Sequence, residues 1–180
     1  GRTAVMDAPN EVSSEQLDEL GLALKQEHQS VHDQIIESLA QQGIDYQYLS
    51  HQPVYTSEEA AKIRDTSLEQ SAKALVMQAD EEFILVVVRG DRRVNIDKLR
   101  EQLNAKRLAM ASKDSVKAKT GIEVGGIPPF GSKMGMSTYF DQDLQQLKEI
   151  AFNAGRHDRS VVMEVDDFLR LEKPKIVDLS

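Results

Sequence analysis

Six consecutive apolar residues, Phe83–Val88 (FILVVV), limit what this chain can fold into more than any other feature. The run is far too short to span a bilayer. It reads instead as a strand that is apolar on both faces and therefore central in a sheet. The stretch before it, AKALVMQA (72–79), reads as a second strand, with Glu81 and Glu82 in the hairpin turn between them.

Strand-like and helical patterns alternate around this pair. Leu17, Leu20, Leu24, Val31, Ile35 and Leu39 recur at helical spacing from Ser14 to about Gln42, after a lead-in over residues 1–13 that reads as flexible. Gly43 is the expected C-cap, and Gly21 or KQEHQS is the point at which this stretch divides into two helices. YQYL (46–49) predicts a strand, and TSEEAAKIR a helix capped by Thr56 or Ser57. RGDRR turns the chain, NIDKLREQLN is an amphipathic helix with Leu99 and Leu103 inward, and RLAMA is a strand. SKDSVKAKTG is a capped helix closed by Gly121. Then follow a strand (STYF), a short helix (QDLQQLKE), a strand (IAFN), a turn (AGRHD) and a strand (SVVMEV). A last helix, DDFLRLEK, is capped by Asp166 or Asp167 and stopped near Pro174. Several connections are too short for β-α-β crossovers, so a mixed sheet is expected.

With 180 residues, 40% hydrophobic and 29% charged, the chain suits one folded domain with a sizeable core. The absence of cysteine excludes disulfides, thiolate nucleophiles and cysteine zinc sites. The first residues hold no apolar run like the core of a signal peptide, so the cytoplasm is the expected compartment. A net charge of −8 argues against nucleic acid, yet the distribution is uneven. Between Arg89 and Lys133 there are 11 basic and 5 acidic residues, a balance of +6 against −14 elsewhere. Such a segment fits a local phosphate-binding footprint, although counting alone favours solvated helix faces.

Most candidate constellations have simpler readings. His28 and His32 stand at i, i+4, but position 29 is Gln where a hydrolytic zinc helix needs Glu, and no third ligand is evident. The pairs Glu58/Glu59 and Asp166/Asp167 sit at helix N-termini, where capping and the helix dipole account for them. No nucleophile elbow of the G-x-S-x-G type is present.

Three elements remain. Lys73 enters a strand of small and apolar residues, so it either snorkels to solvent or points into a cavity as a fixed cation. The loop GGIPPF places Gly125 and Gly126 beside Pro128 and Pro129. Its glycines let a substrate approach, and its prolines hold the carbonyls of Gly126 and Ile127 outward for an ammonium group. The amides of Gly125, Gly126 and Ile127 are left for a carbonyl or oxyanion. A purely structural turn is the plainer reading of such a loop. Asn153, in FNAG (152–155), is either a turn former or a hydrogen-bonder in a pocket.

In this order, these elements resemble the YbaK/ProX family of trans-editing aminoacyl-tRNA deacylases, which is related to the editing insertion of bacterial prolyl-tRNA synthetases. The resemblance runs from about Gln34 to the C-terminus through HQPVYTSEEAA, AKALVM, LAMASKDSVKAKTGIEVGGIPPFG and FNAGRHDRSVVMEVDDFLRL. It sets residues 34–180 apart as the deacylase domain, after a lead-in and extra helix over 1–33. It implies an α+β fold with a mixed, partly barrel-like sheet flanked by helices. The implied reaction is hydrolysis of the ester of a mischarged tRNA carrying a small amino acid (Ala, Ser, Cys or Thr), assisted by the tRNA 2′-hydroxyl, with no metal and no cofactor. Carried over by position, Lys73, Gly125 and Gly126 are catalytic. Lys73 holds the terminal ribose, phosphate or ester carbonyl. Ile127, Pro128 and Pro129 shape the amino-acid pocket, Asn153, Ala154 and Gly155 line the opposite wall, and Val54, Tyr55 and Thr56 form the rim. The implied partners are the aminoacyl-tRNA 3′ end and a synthetase. A non-catalytic module of the same fold is the alternative.

Overall fold

The structure is a computed structural model that describes residues 3–4, 10–17 and 29–180. The central strand is β5 (Glu82–Arg89), paired along its length with β4 (Ala72–Ala79) in an antiparallel hairpin. On its other side it runs parallel to β7 (Thr138–Asp141). Ile84–Val88 are at most 4% exposed, which is the reason no polar residue interrupts the run. At the edges lie β6 (Leu108–Met110), against β4, and β10 (Lys175–Val177), parallel to β7.

A second sheet is built on β3 (Tyr46–Ser50), β9 (Arg159–Glu164) and β8 (Glu149–Arg156), each antiparallel to its neighbour. Two short strands, β1 (Thr3–Ala4) and β2 (Asn10–Glu11), also pair with β3, where a flexible lead-in is expected. The β8 strand runs on to Arg156, so the expected turn over 154–158 shrinks to its last residues. Parallel and antiparallel pairings coexist in both sheets, giving the expected mixed α+β architecture.

The sheets do not close into a barrel, which corrects the partly barrel-like expectation. They share one parallel bridge, Ser71 with Ala151, supported by the Ala151 amide donating to the Gln70 carbonyl at 2.9 Å. Closure needs a continuous ladder. Here β4 and β8 diverge after the bridge, and a cavity opens between them.

Helix starts follow local chemistry. In α1 (Val31–Gln41) Ser30 caps the Asp33 amide, and Gly43, at φ +63°, follows the last turn. Thr56 caps α2 (Ser57–Arg64) by accepting from the Glu59 amide, while its hydroxyl meets the Glu59 carboxylate at 3.1 Å. Asn95 caps α3 (Ile96–Leu103) and Ser112 caps α4 (Lys113–Thr120), which Gly121 closes. The expected helix after β7 is reduced to α5 (Gln142–Gln145), because β8 starts at Glu149. In α6 (Val165–Glu172) Asp166 and Asp167 lie inside the first turn and Glu164 takes the cap position without a side-chain bond, which corrects their expected capping role. Leu20, Gly21, Leu24 and His28 lie outside the described residues. Among the described residues no helix is long and apolar enough to cross a membrane.

The main core gathers Phe130, Phe140, Phe152 and Phe168, with ring centroids 5.1–5.5 Å apart. Phe130 directly follows Pro129 and so anchors the glycine–proline loop to the core.

His32 and His51 are buried, and desolvation holds both below the ordinary imidazole value of 6.5. The unfolded chain therefore takes up protons first as pH falls past 6.5, so stability is full above that value and declines below it. The urea midpoint is expected to fall between pH 7 and pH 5, and to fall less in His51→Gln. Equal pH slopes for the two proteins would remove His51 from this account.

Candidate functional site

The cavity between the diverging strands has a volume of about 460 Å³. Lys73 and Ala72 of β4 form one wall, Arg64 and Glu58 of α2 a second, and Asn153 of β8 with Gly125 and Ile127 a third; Tyr55 and Thr56 stand at its edge. Lys73, Asn153 and the loop are thus brought together by tertiary structure.

Lys73 is half-buried, and its Nζ donates to the Arg92 carbonyl at 2.9 Å. That carbonyl belongs to the turn after β5, a partner not visible among the neighbours of Lys73 in sequence. Burial lowers the pKa of this ammonium; Glu58 and Asp91 oppose the shift, and Arg93 adds to it. Of the two sequence readings, Lys73 fits the fixed cation in a cavity wall.

The loop is organised differently from expectation. The Gly125 carbonyl accepts from Asn153 Nδ2 at 2.6 Å, and the Gly126 amide donates to the Glu123 carbonyl at 3.1 Å, so that amide is engaged within the loop. A Cβ on Gly126 would stand 3.0 Å from Cε1 of His157, and one on Gly125, at φ +97°, 3.2 Å from the Tyr55 carbonyl. The glycines therefore make room for the chain's own His157 and Tyr55. Gly126, Pro128 and Pro129 are buried behind the wall, as are Val54 and Ala154. Gly155 lines a second, more open cavity of about 370 Å³.

Arg64 is the residue that sequence reasoning missed. It is the last residue of α2 and is 4% exposed. Its Nε donates to Ser160 Oγ at 2.9 Å and one Nη to Asn153 Oδ1 at 2.8 Å. His51 Nε2 completes the chain with Ser160 Oγ at 2.7 Å. Among the described residues no carboxylate pairs with Arg64, and burial pushes its pKa down to about 10. Holding it charged costs the fold on the order of 3 kcal/mol. The network runs from His51 through Ser160, Arg64 and Asn153 to the Gly125 carbonyl, so a buried cation fixes the loop through Asn153. Ser71, on the same cavity wall, has a buried hydroxyl without a hydrogen-bond partner among the described residues.

Both ring nitrogens of the buried His32 are engaged, one with Asp33 at 2.8 Å and the other with the Tyr48 hydroxyl at 2.7 Å. Among the described residues no group of three or more His, Asp or Glu could hold a metal ion. Much of the basic segment is paired, with Arg89 on Asp91, Arg92 on Asp143, Lys98 on Asp178, Arg100 on Asp97 and Lys117 on Glu123. Arg93 and Lys113 make no ion pair among the described residues; Arg93 adds to the field at Lys73 and Lys113 lines the cavity.

The profile of the aminoacyl-tRNA editing domain matches residues 51–171, a span that contains the whole cavity wall. The multifunctional Ser/Thr-tRNA deacylase ProXp-y of Escherichia coli is 33% identical over 152 residues, covering 82% of this chain and 91% of that protein. The proline–tRNA ligase of Bacillus velezensis is 34% identical over 116 residues, covering 63% of this chain and 21% of the ligase. A crystal structure of a candidate trans-editing enzyme for prolyl-tRNA synthetase superposes with a TM-score of 0.73 at 22% identity, covering 86% of this chain and 99% of that one. The fold, the profile and the relatives place this chain in the family of aminoacyl-tRNA editing domains.

Proposed function

We propose that this chain hydrolyses the ester bond of mischarged aminoacyl-tRNA and that serine and threonine are the amino acids it removes. The carrying observation is a fixed cation, Lys73, in the wall of a cavity whose other wall is a loop clamped by Asn153. A volume near 460 Å³ suits a small amino acid and its ribose. The choice of hydroxylated amino acids rests on the relative ProXp-y and on the polar lining supplied by Arg64, Ser71 and Asn153.

An aminoacyl ester is activated, so its hydrolysis needs chiefly a positioned water and support for the developing oxyanion. Water adds to the ester carbonyl, the tetrahedral intermediate expels the ribose 3′-oxygen, and the proton lost by the water reaches that oxygen by way of the neighbouring 2′-hydroxyl. The products are a free amino acid and an intact tRNA end. Lys73 binds the ribose, the phosphate or the ester carbonyl. A carbonyl oxygen has two lone pairs, so Gly125 accepts from Asn153 and still has one for the substrate ammonium.

The test is a panel of tRNAs mischarged with Ser, Thr, Ala and Cys. Turnover on Ser- and Thr-tRNA is expected, and folded protein inactive on all four would refute the proposal. A binding module without catalysis is the second reading, favoured by the net charge of −8. RNA contact through the basic segment predicts that tRNA affinity drops steeply with salt. Arg93→Glu should weaken binding more than Arg92→Glu, because Arg92 is already paired with Asp143. Salt-independent binding would point to a protein partner instead.

A further inference from the structure

Tyr55 is the one residue common to the walls of both described cavities. It is 62% exposed, the most exposed large hydrophobic side chain among the described residues. Its ring lies against that of His157, with centroids 4.8 Å apart and planes inclined by 35°. His157 is itself held firmly. Its Nε2 donates to the Val124 carbonyl at 3.0 Å, its own carbonyl accepts from the Val54 amide at 2.9 Å, and its ring packs on Gly126, where a Cβ would come within 3.0 Å. The glycine loop, His157 and Tyr55 form a rigid stack whose last ring is open to solvent.

An exposed aromatic ring at the boundary of a catalytic cavity, immobilised by a second ring, has the form of a surface for a flat heteroaromatic ligand. Nucleobases stack on such rings whatever their edge pattern. We infer that Tyr55, backed by His157, is the stacking platform for the 3′-terminal nucleobase of the tRNA. The aminoacyl group then enters the larger cavity, and the base lies over the smaller one, beside Pro53 and Gly155. The inference rests on the deacylase reading for the identity of its ligand. It adds a base-binding role for Tyr55 and gives Gly126 a purpose, which is to let His157 sit close enough to brace the platform.

The experiment uses the full chain and an uncharged oligonucleotide ending in CCA with 2-aminopurine at the 3′ position, so that it reads binding without turnover. Stacking on Tyr55 should quench the fluorophore on binding. Tyr55→Ala is expected to remove the quench and weaken binding by about tenfold or more, while Tyr55→Phe keeps both. Tyr55 is exposed, so its loss should leave thermal unfolding unchanged, which a melting curve verifies. For a second substrate, an aminoacyl ester of a ribose without a base, the rise in KM caused by Tyr55→Ala should be much smaller than the rise for charged tRNA. Equal quench and affinity in wild type and Tyr55→Ala would overturn the inference and leave the deacylase reading intact. A quench by wild type with no turnover of any charged tRNA would overturn that reading and leave the platform standing.

Discussion

Lys73→Ala is expected to lower kcat/KM for deacylation by at least about a hundredfold, the size of effect that removing one donor from an oxyanion hole has. The protein should remain folded. The hydrogen bond of the Lys73 ammonium is to the Arg92 carbonyl, in a turn that water can reach once the ammonium is gone. The change should therefore leave the urea midpoint nearly unmoved. Lys73→Arg keeps the charge but replaces a compact ammonium with a planar fork, and it should restore little activity. Because burial lowers the pKa of Lys73, the cation is lost as pH rises at a value below the ordinary 10.5 for lysine. The enzyme-dependent rate should fall on that side. Wild-type activity in Lys73→Ala would show that the lysine has no part in the reaction.

Arg64→Met carries the second large effect and the more unusual signature. Methionine fills much of the volume of the arginine and removes a buried cation that has no carboxylate partner among the described residues. Such replacements are often neutral or stabilising, because the desolvation penalty disappears with the charge. Against that, Asn153 Oδ1 and Ser160 Oγ each lose the guanidinium donor but keep a bond to each other at 3.3 Å, and Ser160 keeps His51, so the loss is about 1–3 kcal/mol in all. The two contributions are similar in size, so the midpoint should shift by no more than a few degrees in either direction. Activity should fall by tenfold to a thousandfold, because Asn153 is released and the Gly125 carbonyl with it. Lost activity at nearly constant stability marks Arg64 as a positioning residue retained for the site. Crystal structures or amide exchange of the variant would show the loop over 124–127 loosened. An unchanged exchange pattern with full activity would instead make Arg64 an ordinary structural residue.

Such a pair of effects explains why a chain with net charge −8 keeps in its interior a guanidinium that has no carboxylate partner among the described residues. A buried charge costs stability wherever it lies, and it persists where its donors hold something that neutral donors hold less firmly. Here that object is one side chain, Asn153, whose own amide grips the loop at 2.6 Å.

Much of the architecture was legible locally. FILVVV announces a central strand because burial on both faces leaves no room for polar alternation, and β5 is that strand. Thr56, Asn95 and Ser112 stand at helix starts because a side-chain oxygen there meets an otherwise unpaired amide. The strands β1, β2 and β10 were not legible, being two or three residues long and too short to show a period. Asp166 and Asp167 looked like caps because acidic residues favour both the cap and the first turn, and only backbone geometry separates those positions.

For the site, residue types and order in the chain were enough to single out Lys73, the loop from Gly125 and Asn153, because a lone lysine in an apolar strand and a rigid loop are unusual wherever they fall. What each of them touches was decided by the fold. Arg64 did not stand out, since a sequence shows charge but not depth, and depth is set by how α2 lies over the second sheet. The two glycines of GGIPPF looked like space for a substrate. That space is taken by His157, a residue 31 positions further along the chain that reaches Gly126 only because β8 and β9 turn back beside the loop.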